Sequence, residues 1–566
     1  MARDGSGYWK LALPTLPGTR YRFRLDGEKS FPDPVSFSQP EGVHGPSQLV
    51  DRLHFPWEDG EWQGLPLSNM VIYELHTGCF SPIHNFEGVI NRLDYLEDLG
   101  INTLALMPLG QFPGDRNWGY DGVGPFAVQH SYGGFRDFQR LVNAAHRKGM
   151  AVLVDVVYNH LGPEGNYLNA YGPYFSQKYH TPWGSPLNFD GAWSDGVRNY
   201  FLQNARMWLE DYHVDGLRVD AVHAIYDFSA HHFMQELKEL ALDVEQRTGC
   251  KKTIIAELDL NDPRYINPIG KGGYGLDGQW IDEFHHALRA LMTGDRKAYY
   301  EDFGEIADLQ KAFEHTYVYN GVYSPHRKRT FGGHADHNPY SQFVVFSQNH
   351  DQVGNRALGD RLTHNLNFEQ LKLAAATVLL SPYVPLLFMG EEYGEQNPFQ
   401  FFTCFSDPLL IEGVRKGRQA EFPEFSGSIG LPDPQSEETF LRSNLSWDYQ
   451  KGEGAALLSY YRHLIHLRKT LPAMQGMRRE DLQMQPLQGQ VLSFERKIIN
   501  DQVRVWLNFG GEKVRLENDS VAGIVKVFDS ASSEWGGPAD TALSVLAPGT
   551  PIELFPYSAT VFEKQL

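Results

Sequence analysis

Cysteine is nearly absent from this 566-residue chain: Cys79, Cys250 and Cys404 are an odd, widely spaced three. That count supports neither a disulfide framework nor a zinc motif, and it predicts a reducing, cytoplasmic setting. Positive charge is short too, with 50 Lys and Arg against 70 Asp and Glu, a net charge of −20. The balance excludes nucleic-acid backbones and anionic membrane surfaces as expected partners and favours a neutral one. The opening MARDGSGYWK has no apolar signal core. The longest nearly uncharged run, Leu373 to Gly390, contains Pro382 and Pro385. It reads as a buried helix followed by a strand, PLLFMG, and not as a membrane span. No short-period repeat and no low-complexity tract is present.

Aromatic residues, by contrast, make up 13% of the chain. Core packing and platforms for stacking against sugar rings both account for that number. From Val71 onward, apolar β-branched runs alternate with stretches such as FRDFQRLVNAAHRKG, whose apolar residues recur at three-to-four spacing. Eight runs read as strands: VIYELH, INTLALMPL, AVLVDVVYNH, VDGLRVDAV, TIIAEL, GQWID, FVVFSQNHD and PLLFMG. The alternation predicts an α/β fold, a (β/α)8 TIM barrel, over residues 66–475. Residues 161–195, after the third strand, are rich in Gly, Pro and aromatics. They are too many for an ordinary connection and are expected to cap one face of the barrel.

The helix-like GAALLSYYRHLIHLRK closes the barrel region. Period-two patterning returns in VLSFERKI, VRVWLNFG, KVRLEN, GIVKVFD and PIELFPYSATVFEK, predicting a C-terminal antiparallel β domain over 480–566. Residues 1–65 hold only GYWKLAL and TRYRFRLDG before Pro-rich irregular chain. That is too little for a complete β-sandwich. A partial N-terminal β-sandwich is expected there, with the chain beginning part-way through a domain; a small decoration is the other reading.

Three carboxylates sit where predicted strands run out: Asp220 in VDGLRVDAVHAI, Glu257 in TIIAELDL and Asp351 in FSQNHDQVGNR. The C-terminal ends of barrel strands are where such a fold keeps its chemistry. Two carboxylates flanking a bond are the equipment for cleaving a glycosidic linkage. Arg218 lies two residues before Asp220, so on a strand both side chains face the same side. The guanidinium is expected to hold Asp220 ionised, as a nucleophile at an anomeric carbon must be; a structural ion pair has the same signature. Glu257 follows four apolar or small residues. Burial of that kind keeps a carboxyl protonated and suits a general acid, although a strand-end Glu also caps helices. Asp351 can hold sugar hydroxyls and favour a flattened, positively charged ring, with His350 donating to the same ring. In DVVYNH, Asp155 can bind Arg218 or a sugar hydroxyl, and His160 can donate to the ring. Asn159 alone is too little for a calcium site, and no metal is expected.

The order DVVYNH, GLRVD, AE and NHD on strands three, four, five and seven is far more specific than any one piece. On those motifs, from about Val71 to the C-terminus, the chain resembles the α-amylase superfamily of retaining glycoside hydrolases. The resemblance implies Asp220 as nucleophile, Glu257 as acid/base and Asp351 as transition-state stabiliser. It implies that Asp155, His160, Arg218 and His350 complete the ring-binding floor, with His223 also binding substrate. Tyr120 in NWGYDGV matches the tyrosine that stacks on the sugar at the cleavage point. No cofactor is implied.

Flanking stretches, including YELHTGCFSPIHNFEGV, IDEFHHALRALMTGD, LLFMGEEYGEQNPFQFF and LPDPQSEETFLRSNLSW, are similar to those of maltooligosyltrehalose trehalohydrolases. That family hydrolyses the α-1,4 bond next to a terminal trehalose unit and releases trehalose. The resemblance implies maltooligosyltrehalose, a neutral oligosaccharide, as substrate and functional coupling to a maltooligosyltrehalose synthase. It also makes the N-terminal segment carbohydrate-binding-like. Two departures stand out: roughly the first half of that sandwich is expected to be missing, and Leu258 occupies a position often held by Ser.

An enzyme that selects a chain end needs a blocked, polar cleft on the leaving-group side. Asp259, Asn261, Asp262 and Arg264 directly follow the acid/base and are expected to line it. Asp282, His285 and His286 after strand six, and Gln352 and Arg356 after strand seven, are expected there as well. Ordinary solvated loops and helix caps have the same composition. A 1,4-α-glucan branching or isoamylase-type debranching enzyme shares the barrel and the three carboxylates. A non-catalytic glucan-binding protein is expected to have lost at least one of them, and all three are present here.

Overall fold

The computed structural model describes residues 1–5, 9–425, 430–499, 501–518, 523–540 and 545–564. At its centre eight parallel strands close into a barrel in chain order. They are β1 (Ile72–Leu75), β2 (Thr103–Leu106), β3 (Ala151–Val156), β4 (Gly216–Val219), β5 (Thr253–Ala256), β6 (Gly278–Trp280), β7 (Phe343–Val345) and β8 (Val384–Phe388). All eight expected runs supply a strand, each shorter than its apolar run. Every residue of the eight is buried. One face fills the barrel and the other meets helices, so the sequence reads as continuous apolar runs and not as alternation. Helix Gly134–Arg147 shows the outer layer, burying Phe138, Leu141, Val142 and Ala145 along one side.

Register places the chemistry. In the β3–β4 ladder Asp155 is paired with Arg218. Paired residues of adjacent strands point to the same face, so the carboxylate and the guanidinium meet inside the barrel. The Leu373–Gly390 run becomes helix Phe368–Leu379 followed by β8. Among the described residues, no helix is long and apolar enough to cross a membrane.

Past helix Gly452–Thr470 the chain builds a six-stranded antiparallel sheet. Its strands are β9 (Leu482–Met484), β10 (Val491–Ile498), β11 (Asp501–Asn508), β12 (Ile524–Asp529), β13 (Val545–Leu546) and β14 (Ser558–Lys564), in the order β9-β10-β11-β14-β12-β13. The run PIELFPYSATVFEK divides: Ile552–Leu554 pairs with Val514–Leu516, and β14 follows a turn.

Before the barrel, the described strands form three two-stranded ladders. GYWKLAL contributes Trp9–Lys10, while Gly7 and Tyr8 lie outside the described residues. The ladder that ends at Phe31 rests on the 161–195 segment: Tyr171 donates to the Pro32 carbonyl at 2.7 Å, and the Phe31 and Tyr167 rings lie 5.2 Å apart.

Candidate active site

Arg218 forms the floor. Its side chain is 2% exposed, and Nη1 donates to Asp155 Oδ2 at 2.7 Å and Asp220 Oδ1 at 2.8 Å. Nη2 lies 3.5 Å from Glu257 Oε2 and 3.9 Å from Asp351 Oδ2. Burial opposes the guanidinium's charge, but the surrounding Asp155, Glu257 and Asp220 carboxylates outweigh it and hold Arg218 cationic. One buried cation therefore gathers carboxylates from β3 and from the loops after β4, β5 and β7.

Asp220 directly follows β4 and donates its N–H to the Val156 carbonyl at 3.0 Å. Its Oδ2 accepts from Asn159 Nδ2 at 2.8 Å. The next residue, Ala221, has a left-handed backbone, φ 40°. Such a conformation costs roughly 1–3 kcal/mol outside glycine. Here it turns the Ala221 N–H onto Glu257 Oε2 at 2.7 Å. Glu257 directly follows β5. Burial, reinforced by Asp220 and Asp351 and opposed by Arg218, raises its carboxyl above the ordinary glutamate range. Asp351 is not a strand-end residue as expected. β7 ends at Val345, and Asp351 lies in the first turn of helix His350–Gly354, which Asn349 caps by accepting from the Gln352 N–H at 2.9 Å.

A second chain of contacts runs behind these groups. The Tyr120 hydroxyl donates to Asp155 Oδ2 at 2.6 Å and lies 2.7 Å from His350 Nε2. Burial opposes the charge on His350, but Asp351 and Glu74 raise its pKa to about 9, so the imidazolium donates to the Tyr120 oxygen. Burial also pushes Asp155 up to about 7, against Arg218. Tyr120 is aimed by Gly119, whose φ is 105°; a Cβ there would lie 2.4 Å from the Pro108 carbonyl oxygen. His160 Nε2 meets the Tyr120 carbonyl at 3.0 Å, and its Nδ1 meets Asn159 Oδ1. Asn159 is thus committed to Asp220 and His160. Among the described residues, no group of three or more His, Cys, Asp and Glu side chains is placed to hold a metal ion.

Above this floor opens a cleft of about 450 Å³. Asp220, Glu257, Asp351, Tyr120 and His160 line it. So do His223, Asp259, Asp282, His286 and Gln352. Asp155, Arg218 and His350 lie beneath. His223 Nδ1 is buried with no hydrogen-bond partner among the described residues and belongs to a side chain that lines the cleft, which leaves it for a sugar hydroxyl. Burial, with Glu257 and Asp351 close by, pushes the Asp282 carboxyl well above the usual range.

Five residues expected on the leaving-group side are spent elsewhere. Asn261 is buried and donates to Glu283 and to the Tyr319 carbonyl. Asp262 caps the turn Pro263–Tyr265 and pairs with Arg264, whose side chain is 65% exposed. His285 is held between the Ser347 carbonyl at 2.6 Å and Tyr300 Oη at 2.9 Å. Arg356 pairs with Asp360 and Asp295. Cleft residues that sequence reasoning missed include Trp118, Trp183, Tyr299, Arg327 and Phe401. Trp183 comes from the 161–195 segment and stacks on His160 at 5.4 Å. Arg327 reaches Asp259 at 3.2 Å.

A closed parallel barrel with this cluster of carboxylates at its open end defines a glycosidase of the α-amylase type, and residues 68–183 match the α-amylase catalytic-domain family. A malto-oligosyltrehalose trehalohydrolase of Saccharolobus solfataricus is 48% identical over 470 residues, which span 83% of this chain and 81% of that protein. One from Rhizobium sp. strain M-11 is 42% identical over 562 residues, spanning 98% of this chain and 91% of the relative. The crystal structure of a Salmonella typhimurium protein described as an α-amylase superposes with a TM-score of 0.89 at 36% identity, over 100% of this chain and 94% of that chain. The chain belongs to the malto-oligosyltrehalose trehalohydrolase family.

Proposed function

We propose that this chain is a retaining hydrolase that cuts the α-1,4-glucosidic bond next to the terminal trehalose of maltooligosyltrehalose, releasing trehalose. The observation that carries the chemistry is the single guanidinium of Arg218 within 4 Å of Asp155, Asp220, Glu257 and Asp351. Asp220 Oδ attacks the anomeric carbon of the glucosyl unit at the cleavage point. Glu257, whose carboxyl burial raises above the ordinary glutamate range, gives its proton to the departing trehalose oxygen. A glycosyl ester on Asp220 results. Glu257, now ionised, takes a proton from water, and the hydroxide oxygen displaces Asp220 from the same carbon. Two inversions leave the α configuration in place. Asp351 holds ring hydroxyls through the flattened transition state, and Tyr120 packs against the ring. Contrary to expectation, His350 does not reach the sugar: both its ring nitrogens are taken by Glu74 and Tyr120, and it holds Tyr120 in place.

Family membership supports trehalose as the leaving group. His223, Asp259, Asp282, His286, Arg327 and Gln352 supply the polar lining a disaccharide needs. The described cysteines, Cys79, Cys250 and Cys404, are free thiols, which suits a cytoplasmic location beside a synthase that makes the substrate.

Product analysis tests the assignment. With maltotriosyltrehalose the expected products are maltotriose and trehalose, with far slower cleavage of plain maltopentaose. Branch-point change on glycogen without trehalose release would replace this assignment by a branching or debranching one. Proton NMR of fresh hydrolysate should show the new reducing end appearing first as the α anomer. Initial β anomer would rule out the double displacement.

A further inference from the structure

Glu74 sits within β1, and its side chain is 3% exposed beneath the cleft. One carboxylate oxygen lies 2.6 Å from His350 Nδ1, and the other accepts the His350 backbone N–H at 2.9 Å. A single side chain thus fixes both the ring and the main chain of the residue before Asp351. His350 Nε2 in turn faces Tyr120 Oη at 2.7 Å and Asp351 Oδ1 at 3.4 Å. We propose that Glu74 is a positioning residue of the active site: by clamping His350 at ring and backbone together, it sets Asp351 and Tyr120 against the sugar ring. This rests on the glycosidase assignment above.

The groups around His350 come from five strands or the loops that follow them. Glu74 and His76 lie at β1, Tyr120 follows β2, Asp155 is on β3, Arg218 on β4, and Asp351 on the helix after β7. Trp118 and Trp280 close the remaining sides, their rings 5.8 and 6.4 Å away. The carboxylates hold the imidazole cationic up to about pH 9. A cation donates from both nitrogens, to Glu74 and to Tyr120. A neutral ring donates from only one; with that proton kept on the Glu74 side, Nε2 accepts from the Tyr120 hydroxyl, which then no longer donates to Asp155.

Glu74→Gln keeps the size and removes the charge. Its kcat on maltotriosyltrehalose is expected to fall roughly 10- to 100-fold, with a much smaller change in KM. The alkaline limb of the His350 imidazole titration, followed by NMR of its ring C–H shifts, should move from near pH 9 to lower pH by about one unit or more. Glu74→Asp retains the charge and should restore the limb without restoring the full rate. In a His350→Gln background, adding Glu74→Gln should cost little, because the effect passes through His350. An unmoved limb, or an equal loss in the His350→Gln background, would overturn the proposal. Should Glu74→Gln not fold, a wild-type kcat on maltotriosyltrehalose in His350→Gln would overturn it instead, because the effect is argued to pass through His350. If the wild-type enzyme releases no trehalose, the functional assignment fails separately, and the same profiles are then read on whichever α-glucan it cleaves.

Discussion

Asp220→Ala is expected to lower turnover of maltotriosyltrehalose by about 10⁴-fold or more, and Glu257→Gln by about 10²- to 10⁴-fold, while both proteins still fold. The nucleophile has the larger effect because no covalent intermediate forms without it. Folding should survive because both side chains line an open cleft instead of packing the core. Arg218 keeps its 2.7 Å contact with Asp155 when Asp220 is gone, so no buried cation is left alone. Matching circular dichroism spectra and melting temperatures would establish that the lost activity is chemical. Turnover near the wild-type rate in either variant would refute the role given to that residue.

The two variants should also fail differently. Glu257 acts first by protonating a poor leaving group. A glycoside whose leaving group is already acidic, such as a nitrophenol, needs no such proton. Formation of the glycosyl ester should therefore survive in Glu257→Gln with that substrate, and hydrolysis of the ester should become slow. A burst of nitrophenol followed by a slow steady state is the expected trace. Asp220→Ala should give neither phase. If both variants lose activity equally on both kinds of substrate, the division of labour between them is wrong.

The sequence shows the barrel clearly for a physical reason. Strands buried on both faces cannot alternate, so each of the eight announces itself as a short apolar run. Asp220 and Glu257 were legible because each directly follows its strand. Asp351 was legible as a residue but not in its setting, since its helix begins beyond the strand that the apolar run marks. Loop polarity was the weak signal. Asn261, Asp262, Arg264, His285 and Arg356 have the composition of a sugar-binding rim, yet they satisfy backbone groups, one another, or, for Arg356, the Asp295 and Asp360 carboxylates. Nothing local separates a polar side chain that caps a turn from one that faces a cleft. The converse holds for Trp183 and Phe401, whose places depend on tertiary contacts: their rings lie 5.4 Å from His160 and 5.2 Å from Trp118. Glu74 escaped for another reason. It lies inside its strand, where a carboxylate is unexpected, and only the closed barrel brings it to His350.

Arg496→Met is expected to destabilise the protein by about 3–5 kcal/mol, more than any single loop change. Arg496 lies on β10 and is fully buried. Its fork donates to Ser381 O at 2.9 Å, Leu380 O at 3.3 Å, Met474 O at 2.6 Å and Gly476 O at 2.7 Å. Arg468, also buried, donates to Leu379 O and Ser381 O at 2.8 Å and to Tyr383 O. The two guanidiniums thus bind the carbonyls that end helix Phe368–Leu379 and lead into β8. Those are the groups a helix C-terminus leaves unpaired, and a cation suits the negative end of the helix dipole. The contacts also pin the C-terminal sheet to the barrel. Burial and repulsion from Arg468 oppose the charge on Arg496 and lower its pKa well below the ordinary arginine value. Methionine fills part of the space but strands the Met474 and Gly476 carbonyls. Lysine restores the charge without the planar fork, and Arg496→Lys should fall between the two. Urea denaturation should show the ordering, and limited proteolysis of Arg496→Met should cut first between the barrel and β9. Equal midpoints for wild type and Arg496→Met would mean that apolar packing alone holds the sheet in place.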